Sequence, residues 1–221
     1  MSMLERAQAE VACFLENGVE ALLVENYFGS AEDCEVVLAW LQKAYPHAIY
    51  GVNILGDYAK AFELAEKYNA RFIQIDSVCG HLPPKADEIY AEELNTLRTQ
   101  SKAVVLGGVR FKYQPVRSGR ATEEDLHLGM QRCDAIVVTG DGTGMVTPIQ
   151  KVQQFRNAIG DFPLIMGAGM TPDTVEEAFR YCDGAIVGSY FKEEHRDVGD
   201  VKAEYVRNFM DKKKETSDAD C

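Results

Sequence analysis

Three residues of this chain, Glu25, Asp76 and Lys112, are of types that move protons or form covalent adducts, and with the hydrogen-bonding amide of Asn53 each stands at the end of an apolar run. Glu25 follows Ala21 to Val24, Asn53 lies near the end of Tyr50 to Ile54, Asp76 follows Arg71 to Ile75, and Lys112 follows Ala103 to Phe111. A carboxylate at such a place is partly desolvated, which raises its pKa toward general acid/base use. A carboxylate that caps the next helix or pairs with a lysine has the same sequence. Lys112 has three readings: a Schiff-base nucleophile, a cation for a substrate carboxylate, or a partner of Asp76. Arg110 stands two residues before Lys112, so strand alternation predicts that both point to one side and suit an anionic ligand. Asn26, Thr139 and Gly140 close their own runs and join the ligand-binding candidates.

A second kind of chemistry is suggested by Pro163 to Ser189, PLIMGAGMTPDTVEEAFRYCDGAIVGS. Two short apolar runs flank a helix that starts at Thr171-Pro172, and each run closes on a glycine turn, Gly167-Ala168-Gly169 and Gly188-Ser189. Such a βαβ unit pairs its strands in parallel and therefore brings both turns to the same side. Glycines let backbone N–H groups approach a ligand, and helix starts present unsatisfied donors, so Gly167, Gly169, Thr171, Gly188 and Ser189 suit a phosphate. The competing reading is that Gly167 and Gly169 permit a tight turn and Thr171 only caps a helix.

These residues require a scaffold of alternating strands and helices, and the periodicity supplies one. After a helix over Leu4 to Leu15, apolar runs alternate with helical patterns at Ala31 to Tyr45, Tyr58 to Tyr68, Asp87 to Thr99, from Thr122, and Pro148 to Ile159. Seven βα units with near-continuous apolar strands specify an α/β fold with a parallel sheet, of the (β/α)8 barrel type, whose active face lies at the C-terminal ends of the strands. The first strand of such a barrel is missing before the opening helix. The runs Ala21 to Val24 and Ala185 to Val187 then either close on each other or leave edges that a second copy covers; barrel geometry favours the second, a two-fold dimer near the N-terminal helix. Residues 1–211 are expected to form one domain, with a closing helix at Val201 to Met210 and a charged, disordered tail at 212–221.

Composition narrows the classes. The chain has 221 residues, 46% hydrophobic and 26% charged, with a formal net charge of −12, which disfavours nucleic acid and anionic membranes as partners. No apolar run reaches the ~20 residues that span a bilayer, and the N-terminus lacks the core of a signal peptide; a cytoplasmic protein is expected. The six cysteines and four histidines stand singly, so no metal, disulfide or cofactor is expected. His81, before Pro83-Pro84, sits where a lid would be. Gly140-Asp141-Gly142-Thr143-Gly144 follows a late strand and lacks dinucleotide-fingerprint spacing, so it reads as a flexible loop over the site.

From Gly18 onward the chain resembles the BtpA/SgcQ family, named for a photosystem I biogenesis protein. The resemblance rests on Gly18-Val19 with Val24-Glu25-Asn26, Gly51-Val52-Asn53, Val137-Val138-Thr139-Gly140 with Thr143-Gly144, Gly167-Ala168-Gly169 with Thr171-Pro172, and Asp183-Gly184 through Ser189. It implies a (β/α)8 barrel and leaves the reaction open. Gly108, Tyr113 and Asp76 depart from the family's Asp, His and Asn. Two functions follow as expectations: an isomerase, lyase or phosphoribosyl-type enzyme acting on a small phosphorylated metabolite such as a phosphosugar, or a non-catalytic assembly or stability factor.

Overall fold

A computed structural model describes residues 2–219, with side chains to Thr216. The chain runs α1 (Met3–Glu16), β1 (Leu22–Glu25), α2 (Ala31–Ala44), β2 (Tyr50–Asn53), α3 (Tyr58–Tyr68), β3 (Phe72–Cys79), α4 (Pro84–Gln100) and β4 (Val104–Val109). It continues α5 (Thr122–Arg132), β5 (Ala135–Val138), α6 (Ile149–Ile159), β6 (Leu164–Met166), α7 (Val175–Phe179), β7 (Gly184–Ala185), two 3-10 turns and α8 (Ala203–Ala219). Seven parallel strands lie in chain order in one curled sheet with helices on its outside, an architecture of the TIM-barrel type.

Helix starts follow the capping chemistry of the sequence. Ser2 and Glu5 form a reciprocal capping box on α1, and Ser30 and Asp33 form one on α2. At α5, Ala121 holds the cap position, Glu124 reaches back to its N–H at 2.8 Å, and Thr122 is the first helical residue.

Alternation along the strands separates two faces. Leu22, Val52, Ile73, Ile75, Val105, Ile136, Val138, Leu164 and Met166 are buried in the core that joins sheet to helices. Residues of the opposite parity line the inner face. Gly167 is one of them, since a Cβ there would stand 2.5 Å from Val137 Cγ1. Glu25, Asn53, Gln74 and Asp76 share that inner parity on β1, β2 and β3.

The sheet is open. β1 and β7 are its two ends and do not pair with each other among the described residues. Outside the sheet, α1 touches α2 on one flank and α8 on the other, Arg6 donates to Gly199 O at 2.9 Å, and the Phe14 and Phe191 rings lie 5.7 Å apart. One helix thus links both flanks of the opening, while the strand edges on which the dimer expectation rested stay unpaired within the chain.

The closing helix corrects the expected tail. α8 continues past Met210 to Ala219, with the Thr216 hydroxyl donating to Lys212 O at 3.1 Å and Lys213 paired with Glu20 at 2.5 Å. The alternating charges make a solvated helical face there. Residues 220 and 221 lie outside the described residues.

Candidate active site

The inner face of β1 to β3 brings three of the four expected catalytic residues together. Asn53, 2% exposed, donates its Nδ2 to Glu25 Oε1 at 2.9 Å and to Asp76 Oδ1 at 3.1 Å. Glu25 pairs in register with Asn53, which fixes the first contact; Asp76 reaches the same amide from the next strand. Two carboxylates thus share one neutral donor. Glu25 as a residue is open to solvent on one side, yet its carboxylate is crowded by the surrounding strand ends, and that desolvation is the main cause of a raised pKa. The like charge of Asp76 adds to it; the ammonium groups of Lys112 and Lys192 and the Asn53 hydrogen bond oppose it.

The raised pKa has a signed consequence. The folded chain holds the Glu25 proton more tightly than the unfolded chain, so the charged form subtracts stability as pH climbs past the ordinary carboxyl range. Glu25→Gln is neutral in both states. It is expected to melt higher than the parent at pH 7 and to match it near pH 3, checked by calorimetry across that range. A variant that melts lower at pH 7 would mean that Lys112 more than compensates the buried charge.

Lys112 reaches the cluster differently from expectation. Its Nζ donates to Thr143 Oγ1 at 3.2 Å, and it forms no ion pair among the described residues, so the pairing with Asp76 is not realised. Arg110 is corrected as well. Its φ of 49° places it in the left-handed region, the alternation that would align it with Lys112 ends at Val109, and its side chain turns to Asp125 (3.0 Å) and Arg120 O (2.6 Å).

Thr143 ties a loop across the mouth. Its backbone N–H donates to Tyr113 Oη at 2.8 Å, and its hydroxyl lies 3.4 Å from Tyr27 Oη. The same loop covers the glycine turn after β6: Gly169, at φ 74°, stands so close that a Cβ would come within 2.6 Å of Val146 Cα. A Cβ on Gly144 would lie 3.3 Å from Ser189 Oγ, so the loop also meets the turn after β7. The strands thus place the turns at Gly167–Thr171 and Gly188–Ser189 under the Gly140–Thr147 loop.

Several expected ligand residues have structural partners instead. Asn26 Oδ1 accepts from Leu55 N at 2.7 Å and joins the β1 and β2 loops. Buried Thr139 accepts from Lys112 N at 2.8 Å. Thr171 donates its N–H to Thr174 Oγ1 at 3.0 Å, which withdraws that donor from a phosphate and delays α7 to Val175. Gly140 packs against Val146 and Thr147. His81 is no lid residue: its ring stands edge-on to Tyr90 at 5.2 Å, and burial lowers its pKa.

Two residues were missed. Gln74 touches Asp76 Oδ1 at 3.3 Å; its polar side chain in an apolar strand, two residues before Asp76, was a usable signal. Lys151 donates to Thr139 O at 2.7 Å and Arg110 O at 3.4 Å, clamping the ends of β4 and β5, and burial lowers its pKa. Its sequence position is an ordinary helical one and carries no signal. Lys151 also lines a 390 Å³ cavity with Arg110, Lys112, Asp141 and Phe155. This cavity is lined by the segments that follow β4 and β5 and by α6.

The departure at Gly108 has a local cause. β3 shifts register against β4 between Ile75 and Cys79, and this irregularity brings the Asp76 carbonyl against Gly108, where any Cβ would collide with it.

Similar proteins share this architecture. The native KDPGal structure superposes with a TM-score of 0.69 at 15% identity, covering 97% of this chain and 91% of that one. Phosphoribosyl anthranilate isomerase from Thermus thermophilus gives 0.63 at 17% identity, covering 94% of each chain. At these identities the likeness carries the fold alone. An uncharacterised protein of Pyrococcus horikoshii is 29% identical over 91% of this chain and 83% of its own length. The photosystem I biogenesis protein BtpA of Synechocystis is 26% identical over 86% of this chain and 72% of its own length. The model of the BtpA family matches residues 1–215, and the chain belongs to that family.

Proposed function

We propose that the protein is an enzyme that takes a small phosphorylated metabolite across the mouth of its barrel and performs isomerase-, lyase- or phosphoribosyl-type chemistry. The observation that carries this reading is the Glu25–Asn53–Asp76 cluster: two carboxylates on one amide donor, with Glu25 raised in pKa, form a pair able to hold and pass a proton. Lys112 supplies positive charge beside it. Backbone N–H groups at Gly169, Met170 and Ser189, below the Gly140–Thr147 loop, would hold the phosphate. Likeness to a phosphoribosyl anthranilate isomerase and to a KDPGal structure agrees with the substrate class as an analogy of fold.

The test is a thermal-shift titration with inorganic phosphate and phosphorylated metabolites. A ligand at ~100 times its Kd adds about 2.7 kcal/mol, a rise of roughly 5 to 10 °C for a chain of this size. No response to any phosphorylated compound would defeat the reading. A second reading, a non-catalytic assembly factor, is favoured by the apolar rim of the mouth, where Phe28 and Tyr113 are 65% and 69% exposed. The Synechocystis relative is named for biogenesis. The same titration separates the two, because an assembly factor has no need of a phosphate site.

A further inference from the structure

Gln74 lies on β3 two residues before Asp76, so both side chains stand on the inner face. It is 6% exposed, and its Nε2 donates to Asp76 Oδ1 at 3.3 Å. Its Oε1 is buried and has no hydrogen-bond partner among the described residues. A buried acceptor without a donor costs stability, and a ligand that supplied a hydrogen here would satisfy it. The surroundings specify the kind. Glu25 and Asp76 are acceptors, and the Asn53 amide N–H groups are already given to both of them. A carboxylate at this end would meet like charge. An ammonium would be drawn to the Glu25 and Asp76 carboxylates rather than held by the neutral Gln74 carbonyl, and Lys112 and Lys192 already act on Glu25. A neutral donor, a hydroxyl, fits both limits.

We infer that the ligand carries hydroxyl groups on the end away from its phosphate, and that Gln74 reads one of them and selects hydroxylated phosphates over alkyl phosphates. This rests on the phosphate reading above. A site built to hydrogen-bond a hydroxyl discriminates strongly against an analogue that lacks it, because the buried polar group is then left unpaired.

The experiment compares D-ribose 5-phosphate, n-butyl phosphate and D-ribose by calorimetric titration of the parent and of Gln74→Leu, with Gln74→Met as the second variant where the first does not fold. In the parent, ribose 5-phosphate is expected to bind at least about 10-fold tighter than butyl phosphate; in the variant the ratio should fall to within about threefold. The unliganded variant should melt no lower than the parent, since the unpaired carbonyl is gone, whereas a purely structural glutamine would make it melt lower. Equal affinities in the parent, or an undiminished ratio in the variant that folds, would overturn the inference and leave the phosphate reading standing. Binding of both sugars with equal affinity and none of butyl phosphate would overturn the phosphate reading and the inference that rests on it. Binding of none of the three overturns both.

Discussion

Asp125→Ala is expected to destabilise the protein by about 3 to 5 kcal/mol, the range for removing one partner of a buried ion pair. The Asp125 side chain is fully buried and accepts four hydrogen bonds, from Arg110 Nε at 3.0 Å, Ser118 Oγ at 2.9 Å, Arg120 Nε at 2.9 Å and the Cys79 thiol at 3.8 Å. Next to it, Asp87 is 2% exposed and takes Arg120 and Arg132 at 2.7 Å each. Without Asp125, Arg120 and Arg132 share the one remaining carboxylate, Arg110 has no carboxylate at all, and both Arg110 and Arg120 lose their Nε partner. The arginines are about a fifth exposed at most, so water screens only part of that loss. Denaturant unfolding measures the effect; a change below about 1 kcal/mol would show that the arginines recover their hydration. Asp125→Asn keeps an acceptor and loses the charge, so it should fall between parent and alanine variant.

The effect reaches the site through the chain. Arg110 and Arg120 fasten the two ends of the segment that carries Lys112 and Tyr113, two of the residues bonded to Thr143. Loosening this segment releases the loop across the mouth before the carboxylate cluster is touched.

How legible this architecture was depended on whether a residue obeyed the periodicity of its element. Tyr58 to Tyr68 has the bounds read from sequence, because it is a clean periodic run between turn residues. β3 extends four residues beyond the expected Ile75 to Cys79, through a register shift that apolar patterning does not encode. Glu25, Asn53 and Asp76 were legible as strand-end polar residues, and parity brings them together. Arg110 was misplaced because alternation holds only while the backbone stays extended, and its positive φ breaks that condition. Thr171 was assigned to a ligand because sequence does not reveal that Thr174 takes its N–H. The Asp87–Arg120–Asp125 network was invisible for a related reason: its members look like surface charges, two on helical patterns and Arg120 in a loop, and only tertiary packing buries the carboxylates.

Gly169→Val is expected to weaken phosphate binding by more than 10-fold while leaving the helical signal of the protein intact. Valine at φ 74° enters a region that β-branched residues avoid, at a cost of about 1 to 3 kcal/mol. Its Cβ would also meet the backbone of Met145 and Val146, so the Gly140–Thr147 loop must lift off the turn. The strain is local, because β6 and α7 on either side keep their own packing through Leu164, Met166, Val175 and Ala178. Gly160→Val supplies the matched control: Gly160 also has a positive φ, 60°, a Cβ there meets nothing within 4 Å, and it lies at the C-terminal end of α6, so a backbone strain of the same kind with unchanged binding is expected. Titrating both variants with inorganic phosphate, with circular dichroism to confirm folding, gives the comparison. If Gly169→Val folds and binds phosphate as the parent does, the anion does not lie against this turn, because no arrangement of the loop admits both the valine and the close backbone approach that the site requires.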